Sequence, residues 1–267
     1  MGMSILSAAI LTFVAVTTFG GSRIPWLSVP MFVLALVLVT AIVFFIKSQR
    51  KAAHPVVPLR LFKYRVFVVC LFSVFAVMFA ATGLIYLLPM FLQNLYGYTP
   101  TETGLFMTYR GLTSFIFAAV SGFIVVKLRD FKLVAIVAMV IFASMIFTLT
   151  FFTTSASTLA LTIICLIWGT SSGVLISIFH TGIQMNLPDK DISVAMSVIQ
   201  LAVAVSSLLA TSFLGLFLRI PNLSQGLTYL LFACLGAVVL ALGIFVVTLQ
   251  KRNLKIEEEK AIAEQLV

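Results

Sequence analysis

Acidic residues are scarce in this sequence, and none lies deep in a long apolar run. There are eight Asp and Glu among 267 residues. They fall at Glu102, Asp130, Asp189 and Asp191, at helix starts or in short connections, and in the C-terminal segment EEEKAIAEQ. An intramembrane metalloprotease needs clustered His and carboxylates for its metal. Lipid-linked glycosyl and phosphoryl transferases use acidic residues to hold a divalent ion. Neither set is present, so a membrane enzyme is not expected. Cys70, Cys165 and Cys234 sit in three separate apolar runs, with neither metal-ligand spacing nor a disulfide framework. The GxGxxG and GxxxxGKS/T patterns are missing, so no nucleotide site is supported and no cofactor or metal is expected. Charge of either sign is rare, at 9% of residues against about 25% in soluble domains.

What remains is apolar. The chain is 62% hydrophobic with 25 Phe, and its mean hydropathy is +1.20. These values place it among polytopic α-helical membrane proteins. The net charge of +9 does not point to nucleic acid, because the cations sit in short loops between apolar runs, where they set topology. Eight spans are expected, at about Met3–Phe19, Ser28–Ile46, Val66–Leu95 (interrupted by Pro89), Pro100–Val126, Leu133–Phe152, Thr158–Met185, Ser193–Leu218 and Gly226–Leu249. No basic residue precedes the first apolar run, which favours a transmembrane helix over a signal peptide. Residues 1–46 thus form two helices, 47–65 a basic linker, 66–250 a six-helix unit and 251–267 a charged tail suited to a short solvated helix. In the linker, Pro55 and Pro58 prevent one continuous helix, and Leu59–Phe67 suits an interfacial position. Fourteen of the seventeen Lys and Arg lie on the side of the N-terminus when the spans alternate. That bias predicts a multi-pass protein of the plasma membrane with both termini in the cytoplasm.

The stretch Thr99–Lys132 shows how one span is written. Thr99 can cap a helix, Pro100 suits its first position, and Glu102 follows three residues after the cap. Roughly 25 mostly apolar residues follow, enough to cross a bilayer. Lys127, Arg129 and Lys132 close the run. Inside it stands one charge, Arg110, about 15 Å from the helix start. A cation that deep costs about 3 kcal/mol or more against lipid. It is therefore expected to face a polar bundle interior, held by hydroxyl- and amide-bearing flanks of neighbouring helices.

Polar residues recur at helical spacing in four spans. The third has Thr82, Tyr86, Pro89 and Gln93. The fourth has Arg110, Ser114 and Ser121, with the small Ala118 between the serines. The sixth has Gly173, Ser177, His180 and Gln184. The seventh has Ser193, Ser197, Gln200, Ala204, Ser207 and Thr211. A single Ser in a membrane helix is readily explained by a bond to its own backbone or by packing. Four spans sharing the property point to a common lining. The cavity candidates are Tyr86, Gln93, Arg110, Ser114, Ser177, Ser197 and Gln200. His180 lies near a span end, where a snorkelling role is the plainer reading and proton handling the sharper one.

Several motifs carry a resemblance that covers nearly the whole chain. GGSRIPW and its flanking spans look like an extra central helix pair. HPVVPLRLFKYRVF looks like a linker into a C-terminal bundle, and LPMFLQNLYGYTPTETGL like the next helix end and turn. YRGL, at Tyr109–Leu112, stands where Pro-Arg-Gly-Leu is common. GFIVVKLRDFK resembles a basic helix-joining loop without its usual acidic residue. LPDKDISVAMSVIQ resembles the start of a penultimate helix, with Gln200 at a common Asn position and Val203 replacing a common Arg. Together these resemble the C-terminal part of the fourteen-helix drug:proton antiporter branch of the major facilitator superfamily. The resemblance implies an all-α protein whose last six helices form one bundle of two inverted three-helix repeats. The third, fourth, sixth and seventh spans would line its cavity. It also implies proton-coupled efflux of small hydrophobic or cationic compounds by alternating access. The family's N-terminal six-helix half has no match here, so a truncated product, a split half or a fragment is expected, with that half as partner. The alternative is a non-transporting half that only folds in the membrane or binds a partner chain.

Overall fold

The computed structural model describes residues 8, 11–13, 15–16, 28–51, 59–128, 131–151, 157–217 and 223–265. Among them there is no strand. Helices run in the order α1 (Val29–Lys51), a 3-10 turn (Leu59–Lys63), α2 (Arg65–Leu95), α3 (Pro100–Leu128), α4 (Phe131–Phe151), α5 (Thr158–Asn186), α6 (Asp189–Phe217) and α7 (Leu223–Gln265). Six of them, α2 to α7, are long and apolar enough to cross a membrane. They are the third to eighth spans expected from the sequence, so the fold is all-α and polytopic. Most of the first expected span, Arg23, Arg129, Arg219 and the prolines Pro55 and Pro58 lie outside the described residues. The second span is helical as α1.

The helix ends follow local chemistry. At the start of α3 the Thr99 amide donates to Glu102 Oε2 (2.8 Å) and the Glu102 amide donates back to Thr99 Oγ1 (3.3 Å). This is the reciprocal capping box that the sequence announced. Ser157 caps α5 by accepting from the Ala160 amide. Helix α2 stops where Gly97 takes φ 70°, a left-handed value that other residues resist. The Tyr98 amide then donates to the Leu92 carbonyl. Pro89 does not interrupt α2, which runs through it for 31 residues. One missing N–H is tolerated where packed neighbours hold the helix on both sides. The tail is likewise no separate helix, since α7 continues without a break to Gln265. Helix α1 also extends five residues past the expected end of its span, to Lys51.

The pairing of helices carries an internal symmetry. The most extensive contact is α3 with α5, and α2 with α6 is its counterpart. Likewise α4 packs on α5 as α7 packs on α2, while α4 meets α7 and α2 meets α5. Exchanging the triplet α2–α3–α4 with the triplet α5–α6–α7 maps this set of pairings onto itself. Three crossings end on the opposite side from where they began, so the second triplet enters inverted relative to the first. The centre of the bundle is made by α2 and α5. Phe67, Leu84, Leu92 and Phe91 of α2 and Trp168, Leu175 and Phe179 of α5 are almost fully buried. The helices α3 and α6, which hold equivalent places in the two triplets, are the least enclosed. Only 11% and 22% of their apolar stretches are buried, against 61% for α2 and 56% for α5.

Candidate functional site

The sequence-derived candidates divide between two helix seams. The first is α3 against α5. Gly169 and Gly173, four residues apart on one face of α5, let the backbones touch. A Cβ at Gly169 would overlap Thr113 Oγ1 and the Arg110 carbonyl, and one at Gly173 would overlap the Ser114 carbonyl. This is small-residue packing, the usual way membrane helices approach closely. It fixes Arg110, whose guanidinium carbon sits 4.6 Å from the centroid of the Trp168 ring. Cation–π contacts of this kind contribute about 0.5–2 kcal/mol. The expected hydroxyl and amide flanks are therefore replaced, at the charge itself, by an aromatic face. Arg110 Nε and Trp168 Nε1 are buried without a hydrogen-bond partner among the described residues. Arg110 as a whole is half-buried, so its charge, rather than these two enclosed donors, is what the seam offers to a guest. Ser114 is half-buried one turn beyond Arg110, and Ser177 is half-buried one turn beyond Gly173. Ser121 is buried and bonds the Ala118 carbonyl of its own helix, so it serves packing.

The second seam, α2 against α6, is built from different chemistry. Thr82 Oγ1 and Ser207 Oγ are 3.1 Å apart, and the Phe79 and Phe213 rings meet edge to face at 5.6 Å. The two stripes containing Thr82 and Ser207 are thereby joined. Tyr86, one turn past Thr82, is 52% exposed; Gln93, Ser197 and Gln200 are exposed as well. Along α6 the exposed positions Ser193, Ser197, Gln200 and Ala204 make one continuous row. Ser197 also donates to the Ser193 carbonyl. Among the described residues no hydrogen bond links Arg110 to Tyr86, Gln93, Ser197 or Gln200. His180 is half-buried near the end of α5, and Gln184 is exposed.

A third feature has no counterpart among the sequence candidates. Asp191, in the first turn of α6, is 1% exposed. Arg60 Nη2 lies 2.6 Å from its Oδ1, an ionic contact not aligned as a hydrogen bond. Tyr64 Oη donates to its Oδ2 at 3.2 Å. The carboxylate also sits at a helix N-terminus, where the backbone dipole favours negative charge. Burial, and then the hydrogen bond to the carboxylate, push the Tyr64 phenol above its ordinary pKa. This latch ties the 3-10 turn to α6 and starts α2 and α6 from the same end of the bundle. Leu61, in the same turn, is fully buried. The sequence shows only an acid in a helix's first turn, ordinarily a solvated position, and its partners lie 127 and 131 residues away in the chain.

Comparison with known proteins agrees with this architecture. The family model described as Major Facilitator Superfamily matches residues 1–211, ending within α6. An MFS-type efflux transporter, ffsH of Aspergillus flavipes, is 29% identical over 194 residues, covering 72% of this chain and 34% of that protein. The multidrug transporter protein MdtP of Bacillus subtilis (strain 168) is 26% identical over 217 residues, covering 80% of this chain and 39% of its own length. The multidrug resistance protein Stp of Mycobacterium tuberculosis is 32% identical over 105 residues, 38% of this chain and 20% of that protein. The chain spans little more than a third of the first two relatives. Because the family model covers most of the residues, and the helices beneath it pair as two exchangeable triplets, this chain belongs to the Major Facilitator Superfamily.

Proposed function

We propose that this chain is the C-terminal part of a drug:proton antiporter of the fourteen-helix branch, working with a six-helix N-terminal half supplied by the same gene or by a partner chain. The observation that carries the reading is the sparse burial of α3 and α6. They hold equivalent places in the two triplets, and α6 leaves a polar row of Ser193, Ser197 and Gln200 uncovered. Polar side chains at membrane depth are costly against lipid and belong against protein or a watery cavity. A second bundle meeting α3 and α6 would enclose a path, and rocking of the two bundles about it is alternating access. In this scheme Arg110 sets the charge of the path, while Tyr86, Gln93, Ser114, Ser177, Ser197 and Gln200 line it. His180 is the weaker candidate for passing a proton. The relatives' printed names, an efflux transporter and a multidrug transporter, support a drug-like small-molecule substrate. This half carries a cation and no carboxylate in its apolar stretches, so the counter-charge for a cationic substrate has to come from the other half. The excess of Lys and Arg on one side supports cytoplasmic termini in the plasma membrane.

The test is efflux of a lipophilic fluorescent dye from proteoliposomes under an imposed pH gradient. The chain is assayed alone and with a matching six-helix N-terminal half. Dye movement is expected only with both halves, and Arg110→Ala should slow it. Movement by the lone chain, unchanged by Arg110→Ala, overturns the scheme. An assembled pair that moves no dye supports a non-transporting half instead.

A further inference from the structure

A groove of about 530 Å³ lies between the start of α2 and the far end of the apolar stretch of α7. Its size falls within the usual range of small-molecule sites. Phe62, Val68 and Phe72 form one wall, Ile244 and Val247 the other, and polar atoms enter from Arg65 and Thr248. No residue of the proposed transport path takes part. The lining residues Phe62, Val68, Phe72, Ile244 and Val247 are all exposed, so the groove opens sideways, toward what surrounds the bundle. It begins where α2 begins, at the edge of the apolar stretch, and descends from Arg65 to Phe72, about 10 Å at the helical rise.

We infer that this groove holds one anionic phospholipid, with its phosphate on Arg65 and the upper part of an acyl chain against Phe72, Val68 and Val247. Charge selects the occupant. Among the described residues no carboxylate pairs with Arg65, and the neighbouring ion pair engages Arg60 and Asp191. Lys63, also exposed, lies two residues before Arg65. A guanidinium fork matches phosphate oxygens bidentately, and basic pockets between helices at the membrane edge are recognised sites for anionic head groups. The apolar walls select a lipid over a free anion, since one arginine above six hydrocarbon side chains gives a soluble phosphate little to hold. The latch shapes the site. Pinning Arg60 and Tyr64 to Asp191 fixes the turn that carries Phe62, and the Phe62 ring rests edge-on against Phe67 at 5.8 Å. The leaflet from which the lipid comes rests on the orientation proposed above; the groove itself does not.

Native mass spectrometry of the purified chain in neutral detergent, titrated with dioleoyl phosphatidylglycerol or dioleoyl phosphatidylcholine, tests the assignment without reference to sidedness or transport. One phosphatidylglycerol should be retained in preference to phosphatidylcholine. Arg65→Gln should weaken its binding about fivefold, the effect of one basic residue at an anionic membrane surface, and leave phosphatidylcholine unchanged. Arg65→Lys should restore most of the preference. Val247→Trp, at a position 57% exposed and therefore outside the packed core, should fill the groove and remove the preferred lipid. Equal retention of the two lipids overturns the inference. So does an unaltered phosphatidylglycerol titration in either Arg65→Gln or Val247→Trp, or displacement of the lipid by glycerol 3-phosphate.

Discussion

The α3–α5 and α2–α6 seams occupy equivalent places in the two triplets, yet they are held by different means. At α3–α5 the backbones meet through Gly169 and Gly173, and the charge of Arg110 rests on an indole face. At α2–α6 a pair of hydroxyls bridges the helices mid-way, and a buried carboxylate fastens one end. The same topology thus tolerates a seam defined by shape and a seam defined by hydrogen bonds and ions. Shape is unforgiving, because an added methyl has nowhere to go. A hydroxyl pair in a membrane is forgiving, because each hydroxyl can turn to its own backbone instead.

That contrast can be tested in order of expected size. Gly173→Val should be the most damaging change, destabilising the chain by about 3 kcal/mol or more. Thermal unfolding in detergent, followed by circular dichroism, reads it; a variant as stable as the parent would mean that the backbones do not meet there. Arg60→Ala comes next, at about 2 kcal/mol. It strands the buried Asp191, but the arginine is 56% exposed, so solvent screening reduces the loss from the full value for an enclosed pair. If Arg60→Ala and Asp191→Asn each alter stability but the double variant is additive, the latch is not a pair. Arg110→Met should cost about 1 kcal/mol, the worth of a cation on an indole, and should shift the fluorescence of Trp168; an unmoved emission spectrum would separate the two side chains. Ser207→Ala should cost only about 0.6 kcal/mol, the average for hydrogen bonds between membrane helices. A cost equal to that of Gly173→Val would erase the distinction between the seams.

The smallest effect concerns pH. The Tyr64 phenol is held above its ordinary range, so the folded form binds that proton more tightly than the unfolded form. Its contribution is complete below the unfolded pKa of about 10 and fades as pH rises through the higher folded value. Ultraviolet titration of the phenols should lose its late-titrating member in Tyr64→Phe, and the parent's alkaline loss of stability should shrink with it.

The spans were legible because twenty-odd apolar residues in a row have few other uses, and the start of α3 was legible because Thr99, Pro100 and Glu102 carry their own instructions. The four polar stripes were legible too, but not their distribution. Periodicity gives the face of a helix and not the helix that opposes it. Thr82 and Ser207 were placed on faces, and only the fold joined them. The setting of Arg110 was read as rich in hydroxyls and amides because neighbouring spans carry stripes of Ser, Thr and Gln. In the structure Trp168, on another helix, takes the charge, and Ser121 bonds its own backbone. The Gly169–Gly173 spacing was a usable signal of close approach. Asp191 gave no such signal, since an acid in a helix's first turn is ordinarily solvated, and its burial depends on a turn that docks from far away in the chain.

That distance orders events during synthesis. Tyr64 and Arg60 leave the ribosome well over a hundred residues ahead of Asp191, and α2 is made long before the α6 and α7 that flank it. The earliest helix of the bundle must therefore wait in the bilayer with the faces that α6 and α7 will cover still open until those two arrive. The bolt at the membrane edge closes late, as a seal on a nearly finished assembly.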